Sequence, residues 1–404
     1  MQFILFVAVA FALYAGLYYC AGPKTGELPL FPPNYSLGIT VRHLLLGLTT
    51  LLAVDGAVFH SGIYSALLKR DSYAGRVALV VTQERARPRS PSQREIALLG
   101  DSRMLEAFSA KAADARAAKS DLRFVSLAVP QCELRVWFYL LREADPQANR
   151  YRAIVLPIPY DDLDHGRTSL GDATIDISLA APLLHYNDAL EFGRSFSKWP
   201  DKCRAFISCV LRGYALRDDV HDLLGHPLDR LRSRESDADL LASRYEYSGD
   251  KNSLAGVAID VATNDLVVPE HLAALRAQLR NSLRPRKDLG LFKRYRAKWL
   301  RRILDRYAHS STTIVFVRMP RAPLGIAAAD RQREDSISAF VHGDDSLALD
   351  AHLFDRLERP EFFVDMAHLN ASGREIFTQV LTEELLAHFE FSNKKETVEA
   401  APPP

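Results

Sequence analysis

The chain has 404 residues, 48% of them apolar and 25% charged, enough to bury one large core or two modest ones, which excludes a wholly disordered polymer. Its 51 basic and 50 acidic residues leave a formal net charge of +1, so no global field draws it toward nucleic acid. A small-molecule, glycan or membrane partner fits that balance better. The four cysteines, Cys20, Cys132, Cys203 and Cys209, form no CxxC pair with histidines at zinc-finger spacing, which argues against a structural zinc. Cys203 and Cys209 lie in "CRAFISC", which reads as helix, and six helical positions rise about 9 Å, beyond disulfide reach.

Taken in chain order, the first element is "FILFVAVAFALYAGLYY", Phe3 to Tyr19, an uncharged run close to the length that crosses a hydrocarbon core of about 30 Å. With no lysine or arginine ahead of it, a retained span over residues 1–22 is preferred to a cleaved signal. A second, weaker membrane or interfacial segment covers residues 38–68. Its Leu44 to Phe59 stretch is apolar except for Asp55, and an acid at mid-membrane costs about 2.5 to 3.5 kcal/mol on insertion scales. The flanking positive charges do not fix the orientation. Gln83 to Glu95, "QERARPRSPSQRE", reads as an exposed linker or lead-in.

A catalytic domain is expected over residues 94–391. "EIALLG" (95–100), "RFVSLAV" (123–129) and "RAIVLPIP" (152–159) read as buried strands, with helices over Met104 to Lys119 and Glu133 to Ala144 between them. This alternation predicts an α/β fold: a doubly wound (flavodoxin-like) parallel sheet of about five strands with helices on both faces. The next strand, "TTIVFVRMP" (312–320), comes far beyond the dozen or so residues a crossover needs, so residues 165–309 form a long, mainly helical insertion. At its end, "LFKRYRAKWLRRILDRY" puts Leu291, Tyr295, Trp299, Ile303 and Tyr307 on one stripe with most of its basic residues elsewhere. Such a helix covers a sheet, or it meets anionic lipid or acidic glycan. The tail, residues 393–404, is polar and then proline-rich, and is expected to be disordered.

Chemistry concentrates in two short blocks. "GDSR" follows the first strand and places Ser102 in its loop, where the serine is either a nucleophile or a turn and cap residue. A serine hydroxyl is a poor nucleophile near pH 7 unless a base takes its proton. "FFVDMAHLNASGREIF", Phe362 to Phe377, supplies such a base late in the chain, with Asp365 and His368 three residues apart. Ser372 and Glu375 fit a capping box, so the last helix should begin near Ser372 and leave His368 on the loop before it. The acidic loop Asp161, Asp162, Asp164 and His165 has the density but not the spacing of a cation site, and no metal is expected.

"GDSR" near the start of the domain and "DMAHLNASGREIF" near its end resemble the SGNH (GDSL-type) hydrolase superfamily, and look most like the membrane-anchored SGNH-like proteins of bacterial cell-surface polysaccharide O-acylation systems. The resemblance covers about residues 94–160 and 310–390. It implies Ser102 as nucleophile, His368 as general base and acid, and Asp365 as the group that orients the imidazole, with no cofactor. It also implies a backbone N–H of Ser102 in the oxyanion hole, with Ala128 or its neighbours where the family has a glycine. The family's asparagine after the third strand is missing, and one lost oxyanion donor costs about 10²- to 10³-fold in rate. Arg103 and Arg318 are candidate substrate-binding residues.

The resulting expectation is a membrane-anchored O-acyltransferase, most simply an O-acetyltransferase, at the bacterial inner membrane with its catalytic domain on the periplasmic or outer side. Its implied partners are an acyl donor, a polysaccharide acceptor and a polytopic membrane-bound O-acyltransferase. The alternatives are a membrane-bound SGNH esterase that releases the acyl group to water, and a non-catalytic assembly or glycan-binding protein with the same fold.

Overall fold

The computed structural model describes residues 37–89, 94–158, 173–232, 254, 256–260, 265–272, 289–320, 346–365 and 367–399. In chain order the helices are α1 (Leu37–Asp55), α2 (Tyr73–Ala86), α3 (Ser102–Ala107), α4 (Ala110–Arg116), α5 (Leu134–Ala144), α6 (Ala173–Ala180), α7 (Ala189–Arg194), α8 (Trp199–Val210), α9 (Arg212–Ala215), α10 (Arg217–Gly225), α11 (Pro227–Arg232), α12 (Leu289–Tyr307) and α13 (Ala371–Glu399). The strands are β1 (Arg94–Leu98), β2 (Leu122–Ser126), β3 (Ala153–Ile158), β4 (Ala258–Asp260), β5 (Asp265–Val267), β6 (Thr313–Arg318) and β7 (Ser346–Ala348). The described residues divide between two compact units: residues 37–68 with 185–223, and the rest.

The larger unit is built on a five-stranded, all-parallel sheet of order β2-β1-β3-β6-β7. Ile96 lies in register with Phe124 on one side and Ala153 on the other, and Val155 with Val315. Successive side chains of a strand point to opposite faces. Ile96, Leu98, Phe124, Val155, Val315 and Val317 share one apolar cluster with Met104, Phe108, Ala110, Phe377, Leu381 and Leu385 from α3, α4 and α13 and the turn between α3 and α4. The alternate set, Ala97, Ile154, Leu156, Ile314 and Phe316, is buried as well. Burial on both faces is why these strands read as continuous apolar runs. β4 and β5 form a separate antiparallel pair.

α12 packs on α5 and β6. Its stripe residues Tyr295, Trp299, Ile303 and Tyr307 are buried, only Leu291 being exposed. Arg302 lies over the Phe138 ring, 4.0 Å from guanidinium carbon to ring centroid. The amphipathic stripe is thus core, as a sheet-covering helix requires.

Four expectations change. The helix expected over residues 104–119 is broken in two, because the Ser109 N–H donates to Thr378 Oγ1 of α13 (3.0 Å) while the Ser109 side chain caps α4. The charged lead-in at 83–95 is not a plain exposed linker. Glu84 is buried at the end of α2, bonded to Arg87 and to the Tyr151 hydroxyl (2.9 Å), and Arg150 pairs with it at 2.8 Å. Buried charges persist only when paired in this way. The tail expected to be disordered from 393 carries helix to Glu399. The expected single insertion, 165–309, is shared between units, since residues 185–223 pack with 37–68. The span expected over 1–22 and the acidic loop 161–165 lie outside the described residues.

In the smaller unit α1 runs into a π-helical turn, Gly56–His60. The stretch His43–His60 has a mean hydropathy of 1.4 and is long and apolar enough to cross a membrane. Asp55, the acid that counted against it, is buried at its end. Its carboxylate accepts from the backbone N–H groups of Arg212 (2.9 Å) and Gly213 (2.8 Å) in α9, and His60 Nε2 stands 3.4 Å away. Leu44, Leu45, Leu46, Leu48 and Val54 are at least half exposed. Cys203 and Cys209, both on α8, are free thiols.

Candidate active site

The serine arm is shaped by one glycine. Gly100 has φ +155°, and a Cβ built there would stand 2.3 Å from Met104 Cβ and 3.1 Å from Pro157 Cγ, so no other residue fits between β1 and α3. The cap of α3 is the next residue, Asp101, whose Oδ1 accepts the Arg103 N–H at 2.9 Å. Ser102 is therefore not the cap. It is the first helical residue, and its hydroxyl is left for the loop opposite.

The histidine arm is held by hydrogen bonds. Phe363 and Leu369 form an antiparallel bridge, the Val364 N–H donates to His368 O (2.9 Å), and the Asn370 N–H donates to Phe362 O (2.8 Å). Within this hairpin Asp365 Oδ1 accepts the N–H groups of both Ala367 and His368, each at 2.8 Å. The capping box expected at Ser372 is displaced by two residues. Asn370 Oδ1 accepts the Gly373 N–H (3.0 Å) while its Nδ2 donates to Glu361 O (2.7 Å), so α13 starts at Ala371. Asparagine caps a helix as well as serine does, and here its amide also ties the helix to the hairpin.

Together the arms place Ser102 Oγ 2.8 Å from His368 Nε2, and His368 Nδ1 2.8 Å from Asp365 Oδ2, across 266 residues of sequence between serine and histidine. With Asp365 ionised, Nδ1–H donates to the carboxylate and Nε2 accepts the Ser102 hydroxyl proton. Burial works against a charged His368, but the Asp365 hydrogen bond and charge, helped by Glu106 and Asp101, hold its pKa above the ordinary histidine value. Burial likewise works against an ionised Asp365, and is outweighed by His368 and by the two backbone N–H bonds, so its pKa is lowered.

Glu106 escapes the motif reading. It lies one turn beyond Ser102 on α3, the i+4 position that shares a helix face, and that spacing is the signal that could have found it. Burial raises its pKa, with the Asp365 and Asp101 charges adding and His368 and Arg374 opposing.

Of the candidate substrate residues, Arg103 turns its guanidinium onto Asp101, with Nε at 3.0 Å and Nη2 at 2.8 Å from Oδ2. Arg318 ends β6 in register with Ile158, at the edge where the sheet's carboxyl ends lie. Ala128 is fully buried just beyond β2, and the N–H of its neighbour Val129 donates to Gly100 O at 3.0 Å. Among the described residues no group of three His, Cys, Asp or Glu side chains is arranged to hold a metal. No protein-family model matches the sequence, and no curated protein is significantly similar to it.

Proposed function

We propose that this chain is a membrane-anchored, SGNH-like serine O-acyltransferase, most simply an O-acetyltransferase, that passes an acyl group through an acyl-serine to hydroxyls of a cell-surface polysaccharide. The observation that carries the reading is the continuous Ser102–His368–Asp365 hydrogen-bond chain, 2.8 Å at each link. The strand order β2-β1-β3-β6-β7 with both sheet faces buried supports a doubly wound arrangement, in which ligands bind beyond the carboxyl ends of the strands. Ser102 follows the carboxyl end of β1.

In the first half-reaction Ser102 Oγ attacks the acyl carbonyl of an activated donor while His368 Nε2 takes the hydroxyl proton, and the tetrahedral adduct collapses as His368 returns that proton to the leaving oxygen. In the second, a sugar hydroxyl gives its proton to Nε2 and attacks the acyl-serine carbonyl, and Ser102 Oγ leaves and is reprotonated by His368. Asp365 keeps the ring oriented and stabilises it as imidazolium. A polytopic membrane-bound O-acyltransferase is the proposed source of acyl groups. The segment His43–His60 is proposed as a membrane span, with residues 1–22 as another, and the domain from residue 94 on the periplasmic or outer side.

The test incubates the full chain in vesicles with an activated acetyl ester, with and without glycan oligomers, and follows free acetate and acetylated sugar. Holding the acceptor hydroxyl in place can supply about 7 to 11 kcal/mol, so transfer should outrun hydrolysis. Rapid acetate release indifferent to glycan would make the protein an esterase. Protease added to intact spheroplasts should cleave the domain from 94 onward; protection there would end the surface-polymer reading.

A further inference from the structure

We propose that the α7–α8 hairpin of the smaller unit lies in the lipid interface, its outer apolar face immersed beside the point where α1 leaves the membrane. Helix α8 buries one side and exposes apolar residues on another. Ala205, Ser208 and Cys209 are buried, while Trp199 is 74% exposed, Phe206 42% and Ile207 38%. At 3.6 residues per turn Trp199, Phe206 and Ile207 fall on one face, together with Cys203 and Val210, across the helix from the buried Ala205 and Ser208 and beside Cys209. Leu190 of α7, 61% exposed, adds to the outward apolar surface.

α7 and α8 are held close to one another. A Cβ on Gly193 would meet Lys202 O at 3.2 Å and Phe206 Cβ at 3.3 Å, and Phe192 packs edge-on to Phe196 beneath. The exposed rings are thus displayed by a packed scaffold. Large apolar side chains grouped on one exposed face mark an interaction surface, and tryptophan at a membrane interface sits with its ring at headgroup level.

The occupant is identified by where the hairpin is tied. Arg212 and Gly213, directly after α8, clasp Asp55 at the end of α1, and the Tyr186 ring, just before α7, stacks on His60 with centroids 4.0 Å apart. Both ties grip the Asp55–His60 end of the one helix in the described residues long and apolar enough to cross a membrane. An amphipathic segment fixed at that end is at the depth of the headgroups. Its polar residues suit such a surface: Arg194, Lys198, Lys202 and Arg204 against Glu191 and Asp201, so the hairpin is net basic and matched to anionic lipid. The hairpin would thereby make a second membrane contact and fix the tilt of the smaller unit.

This inference rests on the reading of His43–His60 as a span, and its experiment separates the two. Trp137 and Trp299, the other two tryptophans, are buried, so Trp199 is the one open to a quencher. The full chain is reconstituted in vesicles of phosphatidylcholine and phosphatidylglycerol, some carrying bromine on the acyl chains. Wild-type emission should fall in the brominated vesicles, more for bromine near the headgroup than near the chain end, and Trp199→Phe should abolish that loss. Quenching of Trp199 by aqueous iodide with none by bromolipid would place the face in water and overturn the inference. Quenching by neither would show a protein partner covering it and would overturn it too. A chain that fails to float with the vesicles would sink the span itself; a chain that floats with Trp199 unquenched by lipid would sink the hairpin's immersion alone.

Discussion

The two turns that form the candidate site solve the same problem by different means. The serine turn is set by exclusion: Gly100 occupies a space too small for any side chain, and Asp101 caps α3 with one backbone hydrogen bond, from the Arg103 N–H. The histidine turn is set by attraction, with a hairpin, two N–H bonds into Asp365 and the Asn370 bonds to Glu361 and Gly373. A turn fixed by sterics tolerates change in its polar residues but none in its glycine. A turn fixed by hydrogen bonds loses rigidity in small steps.

That difference orders what substitutions should do. Ser102→Ala removes the nucleophile and should lower acyl transfer by about 10⁶-fold, the scale at which a triad serine acts, with the melting temperature nearly unchanged because the hydroxyl serves chemistry more than packing. Transfer that survived would name a different nucleophile. Asp365→Asn keeps the shape of the histidine turn but costs the tautomer, and should lower kcat by about 10⁴-fold. A loss under tenfold would mean that His368 is oriented by something other than Asp365.

Gly100→Ala tests the steric turn. An added methyl there forces α3 outward, and overpacking of that kind costs about 1 to 3 kcal/mol. Both the melting temperature and kcat should fall, since Ser102 Oγ moves with the helix. Unchanged thermal unfolding would show that the Met104 contact yields easily. Asn370→Ala, on the hydrogen-bonded turn, removes a helix cap worth about 1 kcal/mol. It should lower stability by that amount with a smaller change in kcat than Gly100→Ala, as circular dichroism melts and steady-state rates would show; the reverse ranking would erase the contrast between the turns.

How much of this was legible in the sequence follows the same physics. Strands β1, β2, β3 and β6 stand within a few residues of where their apolar runs put them, because burial on both faces leaves no polar positions to blur the signal. The strand β7, three residues long, is too short for a pattern. The break before α4 depends on Thr378, 269 residues away, and no local propensity encodes it. Asp55 reads as a defect in an apolar segment until its partners, Arg212 and Gly213, are seen to come from a distant helix. In the site, serine, histidine and aspartate were legible as motifs, whereas Glu106 belongs to no motif and is found only by its helical spacing from Ser102.

Glu106 therefore gives the subtlest test of how the two turns meet, since it stands on the serine turn and acts on the histidine. General-base catalysis needs His368 neutral, so activity rises with pH through the His368 pKa, which is held above its ordinary value of about 6.5. Asp365 is the main cause of that elevation and Glu106 a further one. Glu106→Gln removes the nearby negative charge while keeping the side-chain shape, so the imidazolium is less stabilised and the acid limb of kcat/KM should move to lower pH. At a pH on that limb the variant should be faster relative to its own plateau than the wild type is to its own, with the plateau little changed. A limb that moved upward, or a plateau that collapsed, would mean that Glu106 shapes the site by holding α3 against α13 through Arg374, and that its charge is incidental to the base.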